Sequence, residues 1–150
     1  YGEMQMLSEY LAANYPHDQV RMRVRKGTTQ LPAASGLSEK DARGVQHVFL
    51  RWADAVVVTP TELIVIEAKM RSNPSAISQL EVYRDLVPKT QELLGFLGRR
   101  IVAELVVAIE DPAVTALAQR RSIRVRVYRP AWLAEWAAAR RRSAVDQYSH

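Results

Sequence analysis

The chain has 150 residues, 48% of them hydrophobic and 25% charged, with no cysteine. That balance excludes wholesale disorder and allows one domain of ordinary size with a real core. The missing cysteines exclude disulfides, zinc–thiolate sites and iron–sulfur clusters and suit a reducing cytoplasm. Apolar runs such as Ala55–Val58 and Leu63–Ile66 are too short to span a bilayer, so no membrane partner is expected. The chain opens at Tyr1 without a basic-then-apolar leader, and no signal peptide is expected. Net charge is +5, and of the 21 cations only Lys26, Lys40, Lys69 and Lys89 are lysines. An arginine bias fits a polyanionic partner, because the guanidinium grips phosphate through a planar fork of donors. It equally fits a GC-rich genome or a hot host.

From Glu3 to Tyr15 the spacing of Met4, Leu7, Leu11 and Tyr15 predicts a helix ended by Pro16. Val20 to Lys26 alternates strictly. It predicts a strand with Val20, Met22 and Val24 inward and an outward ladder of Arg21, Arg23 and Arg25. Gly27 to Gly44 reads as a long surface loop, with a short helix from Ser38. Val48–Val58 and Leu63–Lys69 read as strands joined by the Thr59–Glu62 turn into an antiparallel hairpin.

Asn73 and Pro74 mark a helix start. The helix is expected to reach Val87, be kinked or restarted by Pro88, and run on to Leu97, with Gly98 closing it. Ile101–Ile109 is a buried strand, Pro112–Gln119 a short helix, and Ser122–Tyr128 a strand with Arg124 and Arg126 outward. A last helix runs from Trp132 to Arg142, with a frayed tail after Ser143. The expected fold class is α/β: a mixed central sheet flanked by helices, in the order αβββαβ, with a C-terminal α-β-α extension and a single domain over 1–150.

The chemistry concentrates in Arg51-Trp-Ala-Asp54 and Glu67-Ala-Lys69. Both strands otherwise read as core, and each breaks its apolar run with charge. Glu67 and Lys69, two apart on one strand, share a face, and a hairpin can bring Asp54 beside them. Buried charges cost several kcal/mol, roughly, unless compensated, and a hard divalent cation compensates carboxylates well. A cluster of Asp, Lys and Glu ion pairs, or strand-end charges reaching solvent, is the plainer alternative.

These residues, in this order of elements, resemble the PD-(D/E)xK nuclease superfamily. The resemblance covers roughly residues 3–110, with Ala53 standing where many members have proline. It implies that Asp54 and Glu67, with the backbone carbonyl of Ala68, bind Mg²⁺ (or Mn²⁺), and that Lys69 assists catalysis. Gln79 and Tyr83, four apart on the following helix, resemble the Gln-x-x-x-Tyr of RecB-like members. There Gln79 would lie near the reacting phosphate and Tyr83 near the DNA; the alternative is an amphipathic helix with Tyr83 packed on the sheet. Glu9 matches a metal-supporting glutamate that Holliday junction resolvases and other members carry on the first helix; a solvated helix charge is its alternative.

Arg21, Arg23, Arg25, Lys26, Arg124 and Arg126 form candidate nucleic-acid-binding ladders, against the alternative of charged edge strands that resist aggregation. Arg99/Arg100, Arg120/Arg121 and Arg140–Arg142 are further basic clusters, the last also complementing a helix C-terminus. Trp52, Trp132 and Trp136 read as core or interface. His17, His47 and His150 lack ligand spacing, no Gly-rich phosphate loop is present, and Glu110-Asp111 reads as a strand-end turn. The expected activity is that of a Mg²⁺-dependent DNA endonuclease. It would be structure-dependent or part of a phage or mobile-element assembly, and a homodimer is expected for a duplex cutter. The alternatives are a non-catalytic DNA-binding or assembly subunit with a degenerate nuclease fold, and an RNA-directed nuclease.

Overall fold

The computed structural model describes residues 2–22, 53–89, 95 and 98–148. The elements are α1 (Gly2–Asn14), β1 (Gln19–Met22), β2 (Ala55–Val58), β3 (Glu62–Arg71), α2 (Pro74–Leu86), β4 (Arg100–Ile109), α3 (Pro112–Arg120), β5 (Ile123–Val127) and α4 (Leu133–Tyr148). A 3₁₀ turn over Val87–Lys89 follows α2 where Pro88 breaks it. The order α-β-β-β-α-β, then α-β-α, is the expected one. Arg23, Arg25, Lys26, the Gly27–Gly44 loop, the start of the Val48–Val58 strand and most of the helix expected beyond Lys89 lie outside the described residues.

The five strands form one sheet in the order β1-β2-β3-β4-β5. β1–β2 and β2–β3 are antiparallel; β3–β4 and β4–β5 are parallel. A four-residue turn suffices for the β2–β3 hairpin: Thr59 N–H donates to Glu62 O (2.9 Å) and Thr59 Oγ1 accepts from Glu62 N–H (2.9 Å). The two parallel connections need helices, and crossovers of one hand moving the same way put both on one face. Accordingly, Ala76, Ile77 and Leu80 of α2 and Val114 and Ala118 of α3 share a core with Val56, Val65, Leu105 and Val107. Both helices start as written in the sequence. Asn73 caps α2 by accepting from Ser75 N–H (2.8 Å), and Asp111 caps α3 by accepting from Ala113 N–H (3.0 Å), each followed by proline.

The other face is covered by α1 and the start of α4. Met6, Leu7, Tyr10 and Leu11 pack on Val57, Ile64, Ile66 and Val106, joined by Trp132, Leu133 and Trp136. The buried stripe of α1 is therefore rotated from the expected one: Tyr10 is buried, whereas Met4 and Tyr15 only flank the core. A buried carboxylate beneath Tyr10, described below, is what draws that side chain in. The final helix also departs from expectation, continuing to Tyr148 rather than fraying after Ser143.

Candidate functional site

The ladder between β2 and β3 ends at Ala55↔Ile66. Just beyond it Asp54 bends. Its N–H donates to Ile66 O (3.0 Å), and its Oδ2 accepts from Ala68 N–H (2.9 Å). Asp54 thus grips β3 on both sides of Glu67, and a carboxylate rather than a backbone carbonyl satisfies Ala68 N–H. Both acids are withdrawn from water, Asp54 at 5% and Glu67 at 4% exposure.

Glu67 aligns with Leu105 and Lys69 with Val107 across the parallel pair, and both partners belong to the α2–α3 face. Glu67 and half-buried Lys69 therefore share that face at the C-terminal end of β3. The arrangement offers two carboxylates and, from the same strand, the Ala68 carbonyl. These are hard oxygen donors, the kind Mg²⁺ takes when water and a phosphate oxygen complete its shell. Among the described residues no group of three or more Asp, Glu or His side chains is placed to hold a metal ion.

The other candidates separate. Gln79 is exposed while Tyr83, at 9% exposure, belongs to the core beneath α2. The two sit about 40° apart around the helix, and the boundary of the buried face falls between them. This corrects the expectation of Tyr83 as a DNA contact: its ring is packed on the sheet. Glu9 is corrected too. On the opposite face, its carboxylate accepts from Trp132 Nε1–H (2.6 Å) and Tyr128 O–H (3.4 Å), so it ties α1 to the segment before α4. That carboxylate, with burial, raises the Tyr128 phenol above its ordinary value; burial is the larger cause.

The arginine ladders are corrected at the described positions. Arg21 does not point into solvent. It pairs with Val56 on the α2 face and is 2% exposed. Nη1 donates to Val20 O (3.0 Å); Nε and Nη2 are buried without a hydrogen-bond partner among the described residues. Desolvation lowers its pKa. Arg124 is equally committed to the protein. Its Nε donates to Glu104 Oε1 (2.7 Å), and its Nη2 lies 3.4 Å from Glu62 Oε1. Arg126, half exposed, keeps its Nε 3.9 Å from Glu104, so it alone of the described ladder arginines presents a largely open side chain.

Glu104 was not expected, and it organises the α1 face. It is fully buried, aligned between Ile66 and Arg124, and accepts from Tyr10 O–H (2.9 Å) and Tyr15 O–H (3.3 Å) as well as Arg124. Burial first, then the Glu104 charge, pushes both phenols above their usual range. For Arg124 burial works to lower the pKa, but the hydrogen bond and charge of Glu104 outweigh it and the net direction is up. The signal was legible: a lone glutamate in the middle of an otherwise apolar β4, beside a strand with an arginine at the matching position. Among the other basic clusters, Arg121 pairs with Glu81 (2.8 Å), and Arg99 Nε donates to Thr59 O (2.9 Å) at the far end of the sheet from Asp54.

No protein-family model matches the chain, and neither does any curated protein. Among solved structures, one described as an EndoMS–dsDNA2 complex matches with a TM-score of 0.49 and 14% identity. The match covers 86% of this chain and 45% of that one, so the chain spans less than half the neighbour's length. A likeness at that level carries no functional argument. The α/β assignment rests on the mixed sheet and its flanking helices described above. No described helix is long and apolar enough to cross a membrane.

Proposed function

We propose that the protein is a metal-dependent DNA endonuclease of the PD-(D/E)xK type, with Asp54, Glu67 and the Ala68 carbonyl as ligands for Mg²⁺. The observation that carries this reading is the clasp of Asp54, which ties one buried acid to the two strand residues that flank a second, Glu67. When bound there, the metal would neutralise the carboxylates, lower the pKa of a coordinated water and polarise the phosphate.

The chain's own residues supply the rest. The Ala68 N–H holds Oδ2 and with it the rotamer of Asp54. Glu67 projects from a strand paired to β4 on one side and clasped by Asp54 on the other, so its position costs little reorganisation. Lys69, on the same face, places an ammonium where negative charge grows on the phosphorane, or holds the attacking water through a hydrogen bond. Gln79, at the solvent border of α2, is within the proposal as a group that positions water or phosphate. Mn²⁺ substitutes for Mg²⁺, since both accept oxygen ligands. A single site cuts one strand, so a duplex cutter of this kind works as a homodimer or within a larger DNA-processing assembly.

The test is cleavage of supercoiled and branched DNA in Mg²⁺, Mn²⁺ and EDTA. Metal-dependent nicking that disappears in Glu67→Ala and Lys69→Met supports the reading. Absence of nicking in every metal and substrate leaves a non-catalytic DNA-binding subunit, and nicking unchanged in Glu67→Ala removes the site.

A further inference from the structure

Among the described residues, the α4 side chains that pack on the core, Leu133 and Trp136, lie at its start. Trp136 packs into the α1-face core, and a Cβ placed on Gly2 would lie 2.7 Å from Trp136 Nε1 and 3.4 Å from Met70 Sδ. Met70 follows Lys69 directly, so α4 leaves the body at the end of the sheet that carries Asp54, Glu67 and Lys69. Beyond Ala138, all ten residues to Tyr148 are exposed. These ten residues turn their side chains to solvent, whereas packing of an amphipathic face supplies most helical stability in proteins. That open surface suits a partner.

Its charge names one. Arg140, Arg141 and Arg142 are consecutive, exposed, and fan over about 200° of the helix circumference. Arg140 is already stacked on the Trp136 ring at 5.2 Å, which pre-orders the first of the three. Arg129, four residues before the helix, is exposed as well. A second copy of the chain is the poorer occupant. Only Val145 (63% exposed) and Tyr148 (90%) offer large apolar side chains, and two such helices would set arginine against arginine. A helix is about 10–12 Å across and a duplex major groove about 12 Å wide, so a fan of arginines meets phosphates on both walls.

We infer that the outer half of α4 is a docking arm for double-stranded nucleic acid, holding backbone phosphates through Arg140, Arg141 and Arg142. This rests on the nuclease reading for its biological sense but not for its test. The measurement is binding of a fluorescent DNA duplex in EDTA across a salt series, for the wild-type chain, Arg140→Gln/Arg141→Gln/Arg142→Gln, and a chain ending at Ala138. Three phosphate contacts contribute about 2.7 to the slope of log K against log salt, and both variants should lose that amount, with affinity at least tenfold weaker in low salt.

Thermal midpoints within a few degrees of wild type show that the body still folds, as expected for a segment outside the core. Equal affinity and slope in the triple variant overturn the inference. So does a wild-type chain whose outer α4 is buried in a homodimer that truncation dissolves. Cleavage without α4-dependent binding sinks the arm and spares the nuclease; α4-dependent binding without cleavage does the reverse.

Discussion

Replacing Glu104 removes the acceptor on which one face of the sheet converges. In Glu104→Ala, Arg124 loses its 2.7 Å partner, Tyr10 its 2.9 Å partner and Tyr15 its bonds at 3.3 Å, all around a carboxylate with no exposure. Breaking a buried, hydrogen-bonded charge pair from one side costs about 3–5 kcal/mol; Glu62 still lies 3.4 Å from Arg124, but two phenols lose their acceptor as well. Each kcal/mol lowers the midpoint of a domain this size by about 3 °C, so a fall of roughly 9–15 °C is expected. The assay is thermal unfolding by circular dichroism at neutral pH, checked by urea denaturation. The companion is Glu104→Leu/Arg124→Met, which removes both charges and fills the space. It should recover most of the loss, since an apolar pair of similar volume is about as stable as the ion pair it replaces. A drop below about 3 °C in Glu104→Ala, or a double variant worse than the single by the full sum, would refute the reasoning.

Three other outcomes follow from the same geometry. Tyr10 and Tyr15 have raised pKa values in the folded chain, so their contribution is intact below the unfolded value near 10 and is lost as pH rises above it. Stability should fall by up to about 1.4 kcal/mol per pH unit per phenol above that point, and Tyr10→Phe should shallow the slope in alkaline urea titrations. Arg21→Met replaces a buried, desolvated guanidinium with an apolar chain of similar length and should raise the midpoint; a fall of several degrees would show that Arg21 has a partner holding β1 in place. Asp54→Asn keeps an acceptor for Ala68 N–H, so the fold should persist in EDTA while cleavage drops at least a hundredfold, about 2.7 kcal/mol in the barrier. Retained cleavage would remove Asp54 from the reacting centre.

Much of the architecture was readable because local signals agreed. Asn73-Pro74 and Asp111-Pro112 mark helix starts by capping chemistry that needs no tertiary context, and β-branched runs mark β3 and β4. The pairing of Asp54 with the Glu67 strand follows from a short turn between two apolar strands. What escaped was set by contacts between elements distant in sequence. The stripe of α1 turns toward Tyr10 because of a carboxylate 94 residues away. Alternation in β1 and β5 predicted outward arginines, but alternation says only which face a side chain takes. Here both faces of the sheet are covered, so Arg21 is buried and Arg124 is engaged by Glu104. Glu9 has helix spacing compatible with either a site or an anchor, and only the position of Trp132 decides that it is an anchor.

Two buried acids, Asp54 and Glu67, form the proposed cation site, and direct ion binding tests this without any substrate. Isothermal titration of the metal-free chain with Mn²⁺ should show a site whose heat disappears in Asp54→Asn and in Glu67→Gln, while Glu9→Gln leaves it unchanged. Titrations that are flat for the wild type, or that survive the Asp54→Asn/Glu67→Gln double substitution, would contradict it.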